Sequence, residues 1–231
     1  YSSVWHIFSA LLVFLSGAAI SMSVASGFQT SSIRTLVIYS WHTLFCMLYL
    51  RYSLNYGSDA IVYYRRALEG VAEFNVGTAG VEYLTALFVQ GFNLSILSTF
   101  LVFNIFGAIG LLAFDAALRF ATWDKKRSIQ KLATLIIFIP SVSFWSSAIG
   151  KDSLSFMATG LALWAALDLG RRMPLMMLSV VTMLLVRPHM AALMVIALTV
   201  AILLNSKFRM SNKILLSVIV IGMSAYLVPF S

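Results

Sequence analysis

Charged residues are scarce in this sequence. They make up only 10% of its 231 residues, whereas 61% are hydrophobic and the mean hydropathy is +0.93. A soluble globular domain is typically about 25% charged and about 45–50% apolar. The composition therefore excludes an ordinary soluble domain and predicts a polytopic membrane protein surrounded by membrane lipids.

Cysteine is nearly absent as well. The one cysteine, Cys46, lies in an apolar run, so the sequence has neither a disulfide framework nor the ligand spacing of a metal site. Glu69 and Glu73 leave a divalent metal open, although two carboxylates four residues apart on a helix usually mark a solvated face. His6 and His42 lie in apolar runs and are interpreted as core or interface histidines. We therefore expect no cofactor, with the metal question left open.

Long apolar runs, by contrast, are abundant. A spanning helix needs about 20 mostly apolar residues. About eight segments approach this length, namely 4–26, 33–50, 93–118, 132–148, 152–168, 173–186, 188–205 and 213–229. They predict an all-α, polytopic transmembrane bundle that forms a single domain over residues 1–231. Because the chain starts at Tyr1 and stops just after an apolar run, we expect it to be trimmed at one or both ends.

Two of these segments, 132–148 and 173–186, are short or interrupted. Irregular backbone is tolerated at membrane depth only where protein surrounds it, because lipid offers no hydrogen-bond partners. We therefore predict that these two segments are the inner helices of hairpins.

The basic residues, 16 against 8 acidic ones, fall mainly on one side of this arrangement. Of the 16, 11 are Arg34 and the residues of the linkers 119–131, 169–173 and 206–213. The positive-inside rule makes this side cytoplasmic and explains the net charge without a nucleic-acid partner. The outer side holds the remaining five basic residues, which are Arg51, Arg65, Arg66, Lys151 and Arg187.

A long outer loop, 51–92, contains the stretch NYGSDAIVYYRRALEGVAEF at 55–74. Apolar residues recur there at helical spacing and predict an amphipathic helix lying in the membrane interface: Ile61, Tyr64, Leu68 and Val71. Arg65 and Glu69 are spaced to pair on the opposite face. A second interfacial helix is predicted at 81–90. Asp59 follows a Gly-Ser turn, where it is either the N-cap of the first helix or a carboxylate open to a substrate.

Two tight outer loops also carry charge. PSVSFWSSAIGKD, at 140–152, places Lys151 and Asp152 together at a membrane boundary, and LLVRPHMAAL places Arg187 and His189 at another. Charge held at a boundary within a bundle indicates a functional site. The alternatives are an arginine that snorkels to the interface, a loop charge beside a helix start, and a polar interface histidine. Trp145 in the first loop is interpreted as an interface residue.

The order of these elements resembles that of the GT-C superfamily of membrane glycosyltransferases. Asp59 comes first, followed by Tyr-Tyr and Arg-Arg-Ala on the predicted interfacial helix. VEYLTALFVQGFNLSILSTFLVFNIFGAIGLL is similar to the second interfacial helix and the transmembrane helix after it. FIPSVSFWSSAIGKDSLSFMATGLAL is similar to the next hairpin. The resemblance covers roughly 51–190, and two apolar segments precede the aspartate where the family usually has one.

The resemblance implies a sugar donor linked to polyprenyl phosphate and an unidentified acceptor on the non-cytoplasmic face. Asp59 would take the proton of the acceptor, since a neutral hydroxyl is a weak nucleophile. Cations would hold the departing phosphate, where negative charge grows. The residues expected to bind the substrate are Arg187, Lys151, Asp152, His189, Arg65 and Arg66. We accordingly expect an integral protein of a bacterial inner membrane with its site on the periplasmic or extracellular face.

Two other functions fit parts of the pattern. A Wzy-type polymerase of surface polysaccharide also uses outer-face arginines and a histidine on lipid-linked sugars, but it has a long outer loop late in the chain. A transporter or a non-catalytic membrane subunit predicts charges near the membrane midplane or inverted repeats. Neither feature is evident in this sequence.

Overall fold

The computed structural model describes residues 4–70 and 73–204, and every regular element within these ranges is a helix. The helices are, in chain order, α1 (Val4–Ala25), α2 (Ser32–Tyr56), α3 (Asp59–Glu69), α4 (Thr78–Gly91), α5 (Ile96–Thr122), α6 (Arg127–Ile137), α7 (Pro140–Ser146), α8 (Lys151–Ala166), α9 (Leu169–Val186) and α10 (Pro188–Leu204). The predicted all-α class is confirmed for the described part of the chain.

Five helical stretches in the described ranges are long and apolar enough to cross a membrane: α1, α2, α5, the stretch Arg127–Ser146 that contains α6 and α7, and α9. The predicted count of about eight is not confirmed. With 16 residues, α8 is about 24 Å long, shorter than the roughly 30 Å hydrocarbon core. The predicted segment 213–229 lies outside the described residues.

The centre of the bundle is the contact between α5 and α8. The two helices touch backbone to backbone, since a Cβ added at Gly110 would lie 2.7 Å from Met157 Cα and one at Gly160 would overlap the Gly110 carbonyl. Small residues at a helix interface permit this approach, and dispersion contacts then hold the helices together. α1 and α2 flank α5, and α9 flanks α8.

The prediction that 132–148 and 173–186 are the inner helices is wrong. Most of the surface of α6, α7 and α9 remains exposed, whereas α8 is buried along most of its length. Serine, alanine and glycine predominate among the buried side chains of α8, so this helix fits where larger side chains would not. The break in 132–148 is real: the chain leaves the helix at Phe138 and starts again at Pro140.

A buried polar network joins α2, α5 and α7. His42 Nδ1 lies 2.6 Å from Asn104 Oδ1, and His42 Nε2 lies 3.0 Å from Ser146 Oγ. Asn104 Nδ2 donates to Thr43 Oγ1 at 2.9 Å. Because each of these buried groups has a partner, the network binds the short helix α7 to the bundle without leaving an unpaired polar atom among them. His42 is thus a bonded core histidine, as the sequence predicted.

The bundle has two ends, which differ in the charged residues and helix connections that they carry. At one end, Arg34 and Arg119 both bond Asp115, whose side chain is 1% exposed, and Arg172 stacks on the Trp164 ring at 3.5 Å. We call this the basic end. The opposite end holds the α2–α3, α7–α8 and α9–α10 connections, and we call it the cavity end. The charges therefore sort to two ends in the way the alternation of segments predicted, while the cytoplasmic assignment stays a prediction.

Helices are present at both positions where interfacial helices were predicted, as α3 and α4, but the packing of α3 differs from the prediction. The face of α3 that is buried carries Ala60, Tyr63 and Ala67, whereas Leu68 is 60% exposed and Val71 lies outside the described residues. Ala67 packs against Ala86 and Val89 of α4, because alanine lets the helix axes come close.

The predicted ion pair on α3 is also wrong. Arg66 pairs with Glu82 of α4, and in the described part of the chain no ion pair joins Arg65 to Glu69. The contact with α4 brings Glu82 within reach of Arg66, and sequence spacing within one helix cannot show such a partner.

Candidate functional site

A cavity of about 460 Å³ opens at the cavity end. We call it the polar cavity. The last turns of α2, the start of α3, the loop before α8 and the connection between α9 and α10 line it. Four residues singled out in the sequence meet there: Asp59, Lys151, Asp152 and Arg187. These four side chains therefore line one open cavity, and their roles stay predictions.

Asp59 is presented by a tight turn. α2 ends at Tyr56, and Gly57 takes φ 79°, a conformation that favours glycine because it has no Cβ. Ser58 is the N-cap residue of α3, and its Oγ donates to Ser53 Oγ at 2.8 Å. Asp59 is therefore not the N-cap. It is the first helical residue, where the helix dipole favours a negative charge, and its side chain is exposed to the cavity.

Lys151 and Asp152 open α8. Gly150, the N-cap residue, has φ 156°, and Ser153 Oγ donates back to its carbonyl oxygen at 3.1 Å. The adjacent Lys151 and Asp152 do not pair with each other, because neighbouring side chains on a helix point in different directions. Asp152 instead pairs with Arg187.

Arg187 stands at the junction of α9 and α10, followed by Pro188 at the start of α10. Its guanidinium donates to Asp152 Oδ1, and its side chain is 32% exposed, so part of the charge faces the cavity. The end of α9 is fixed from the other side, since the Gly77 amide donates to the Leu185 carbonyl at 2.7 Å. The sequence placed Arg187 and Asp152 on the same side, but it could not show that they pair.

Tyr63 reports the electrostatics of the polar cavity. Burial raises the pKa of its phenol above the ordinary value, and the nearby carboxylates of Asp59, Glu82 and Asp152 raise it further, while Arg187 opposes them. The tyrosine hydroxyl, already protonated at neutral pH, loses its proton still less readily, and Tyr63 offers both a donor and an acceptor to a ligand.

Three predicted site residues lie outside this cavity. Arg65 and Arg66 are exposed on α3, and Arg66 is occupied by Glu82. His189 is exposed in the first turn of α10 and does not line either of the cavities described here. The structure thus brings together four of the seven candidate residues and leaves these three apart.

A second cavity, of about 350 Å³, lies beside the first between α7, α8, α9 and α10. We call it the apolar cavity, because Val142, Phe156, Met183 and Met190 form much of its wall. It shares Trp145, Asp152 and Arg187 with the polar cavity. The Arg187–Asp152 ion pair therefore stands at the boundary between a polar and an apolar space.

Sequence reasoning missed the aromatic side chains of the polar cavity, which are Tyr49, Tyr52 and Tyr63, and treated Trp145 only as an interface residue. A signal was present, since Tyr49 and Tyr52 are three residues apart and share a face of α2.

Within 4–70 and 73–204, no group of three or more His, Cys, Asp or Glu side chains is arranged to hold a metal ion.

Comparison with known proteins gives no further identification: no family model, curated protein or solved structure matches this chain. The resemblance to the GT-C superfamily therefore stays a prediction from residue order and sidedness. Function is inferred below from the two cavities and the charges between them.

Proposed function

We propose that this protein is a membrane glycosyltransferase that moves a sugar from a polyprenyl-phosphate donor to an acceptor at the cavity end. One observation carries the proposal: a polar cavity containing Asp59 adjoins an apolar cavity, with Arg187 at their boundary. A lipid-linked sugar has the same order of parts, which are a polar ring, a phosphate and an apolar chain.

The phosphate of the donor would bind at Arg187. A guanidinium forms paired hydrogen bonds with two phosphate oxygens, and it keeps its charge in an apolar setting. Lys151 supplies a second positive charge on the wall of the polar cavity. Together they stabilise the negative charge that grows on the phosphate as the sugar departs.

Asp152 is the group that the phosphate would displace. Its carboxylate already occupies Arg187, and it is more exposed than the arginine, at 57% against 32%. An exposed ion pair contributes little free energy, about 0–1 kcal/mol, so exchange of the carboxylate for a phosphate is feasible.

Asp59 would act as general base. It accepts the proton of the acceptor as the acceptor oxygen bonds to the anomeric carbon and the bond from that carbon to the phosphate oxygen breaks. The polyprenyl phosphate leaves with the bonding electrons, and Arg187 and Lys151 balance its charge. Asp59 lies at the start of α3 and lines the polar cavity, where its carboxylate can reach the acceptor.

Transfer of label from a radiolabelled polyprenyl-phosphate sugar to a native membrane extract tests the proposal. We expect Arg187→Ala to weaken donor binding by about 10- to 100-fold and to slow transfer, because a hydrogen bond to a charged group contributes about 1.5–3 kcal/mol. Arg51→Ala is the matched control, since Arg51 is exposed and lies outside both cavities. Equal effects of the two variants would contradict phosphate binding at Arg187.

A further inference from the structure

Aromatic rings form one side of the polar cavity. Tyr49 is at the centre of this group: its ring centroid is 6.1 Å from that of Tyr52 and 5.8 Å from that of Trp145. Phe144 packs behind them, 4.8 Å from Tyr49 and 5.4 Å from Trp145. The rings therefore hold one another in place across α2 and α7.

The members of this group differ in exposure. Tyr49 is buried, with 8% of its surface exposed, whereas Tyr52 is 42% exposed and Trp145 is 55% exposed. Tyr52 and Trp145 both line the cavity, so part of each ring is open to a ligand. Tyr49, which also lines the cavity, and Phe144 pack against these two rings.

The surroundings restrict the ligand that such rings would take. An alkyl chain alone would suit the apolar cavity, and it would leave Asp59, Lys151 and Tyr63 without partners. A pyranose ring has a face of C–H groups, which packs on the electron-rich face of an aromatic ring, and a rim of hydroxyls. Carboxylates accept hydrogen bonds from those hydroxyls, and Asp152 lies in the same cavity wall.

We propose that Tyr52 and Trp145 form a stacking wall for the sugar ring of the donor, an inference that rests on the proposed lipid-linked substrate. Trp145 lines both cavities, so it stands where the sugar meets the phosphate at Arg187. Tyr52 lines the polar cavity but not the apolar cavity, so its ring contacts the sugar and not the lipid chain. The wall faces the substrate ring while Asp59 acts on the acceptor.

The test compares alkyl phosphates with and without a sugar. Dodecyl phosphate and its glucosyl, mannosyl and galactosyl esters are titrated by calorimetry into the full chain in lipid nanodiscs. The affinity of each ester relative to dodecyl phosphate isolates the contribution of the sugar, because the chain and the phosphate are common to both. For at least one ester we expect tighter binding than for dodecyl phosphate in the unmodified protein.

Tyr52→Ala should lower this sugar-dependent ratio by about threefold to tenfold, the usual contribution of an aromatic contact, and leave dodecyl phosphate binding unchanged. Tyr52→Phe keeps the ring and should keep the ratio. Tyr56→Ala is the matched control, since Tyr56 lies one turn further along α2, contacts Tyr52 with ring centroids 5.2 Å apart, and does not line the polar cavity. Trp145→Ala should lower the ratio as well.

The stacking wall is overturned if no ester binds more tightly than dodecyl phosphate, if Tyr52→Ala leaves the ratio unchanged, or if Tyr52→Phe loses as much as Tyr52→Ala. Dodecylphosphocholine, titrated in the same way, carries a quaternary ammonium group in place of the sugar. If Tyr52→Ala weakens its binding as much as it weakens binding of the sugar ester, the stacking wall is also overturned, because the rings would then recognise the ammonium group. Sugar-dependent binding without any sugar transfer would keep the wall and refute the transferase.

Discussion

At the scale of single residues, the Arg187–Asp152 pair is the central contact of the proposed phosphate site. The two side chains belong to different hairpins, 35 positions apart, and both line the polar and the apolar cavity. The Asp152 carboxylate balances the charge of the arginine in this pair. A phosphate that binds at Arg187, as proposed, would therefore compete with Asp152 for the guanidinium.

This competition gives a prediction with a definite sign. Asp152→Asn should raise the affinity for dodecyl phosphate by about twofold to fivefold, because an exposed ion pair of up to about 1 kcal/mol no longer has to be broken. Titration calorimetry in nanodiscs measures the change. Glu82→Gln removes the carboxylate of the Arg66 pair outside the cavity and should have no effect. A loss of affinity in Asp152→Asn would mean that Asp152 holds Arg187 in place rather than blocking it.

At the scale of helices, the α5–α8 contact sets the geometry of the site. α8 carries Lys151 and Asp152 at its first turn, and it can pass through the centre of the bundle because Gly110 and Gly160 let the two backbones touch. Any group that separates the two helices also shifts the start of α8. Stability and site geometry are therefore linked through these glycines.

We expect Gly160→Ala to destabilise the protein by about 1–3 kcal/mol, since the added Cβ overlaps the Gly110 carbonyl and the helices must move apart. Thermal unfolding in detergent measures the loss. Gly170→Ala, at a glycine whose added Cβ would meet nothing within 4 Å, is the matched control and should be neutral or slightly stabilising. Equal melting temperatures for the two variants would show that the close contact is not important for stability.

The helices also show what sequence patterns can predict. The spacing of apolar residues predicted α3, but not that Ala60 and Ala67 carry its buried face. Periodicity measures hydrophobicity, whereas the partner helix α4 selects side chains by size. In the same way, local spacing favoured a pair between Arg65 and Glu69, and the fold provides Glu82 to Arg66.

At the scale of the whole molecule, the charged residues sort to the two ends of the bundle. Arg34, Arg119 and Arg172 gather at the basic end, and Asp59, Lys151 and Arg187 gather at the cavity end. Alternation of segments was enough to predict this sorting, because it depends only on which helix ends face the same way. The Arg187–Asp152 pair and the aromatic group depend on the rotation of each helix, so they could not be predicted.

Cysteine labelling from the outer face tests the assignment of the two ends to the two sides of the membrane. We expect a membrane-impermeant maleimide to label Gly70→Cys and not Lys126→Cys, because basic linkers stay in the cytoplasm. Both positions are exposed, and the native Cys46 is fully buried, so it contributes no background. As the control, both variants should be labelled once the membrane is permeabilised. The reverse pattern would place the cavity end in the cytoplasm.

The most direct test of the proposed chemistry is the rate of sugar transfer by Asp59→Asn. Asparagine keeps the shape of the side chain but cannot take a proton, so single-turnover transfer should fall by about 10²–10⁴-fold while donor binding and membrane insertion stay intact. Asp124→Asn, at an exposed aspartate of the basic end bonded to Lys125, should transfer at the rate of the unmodified protein. Full turnover in Asp59→Asn would show that this carboxylate is not the general base, and it would contradict the proposed role of the polar cavity.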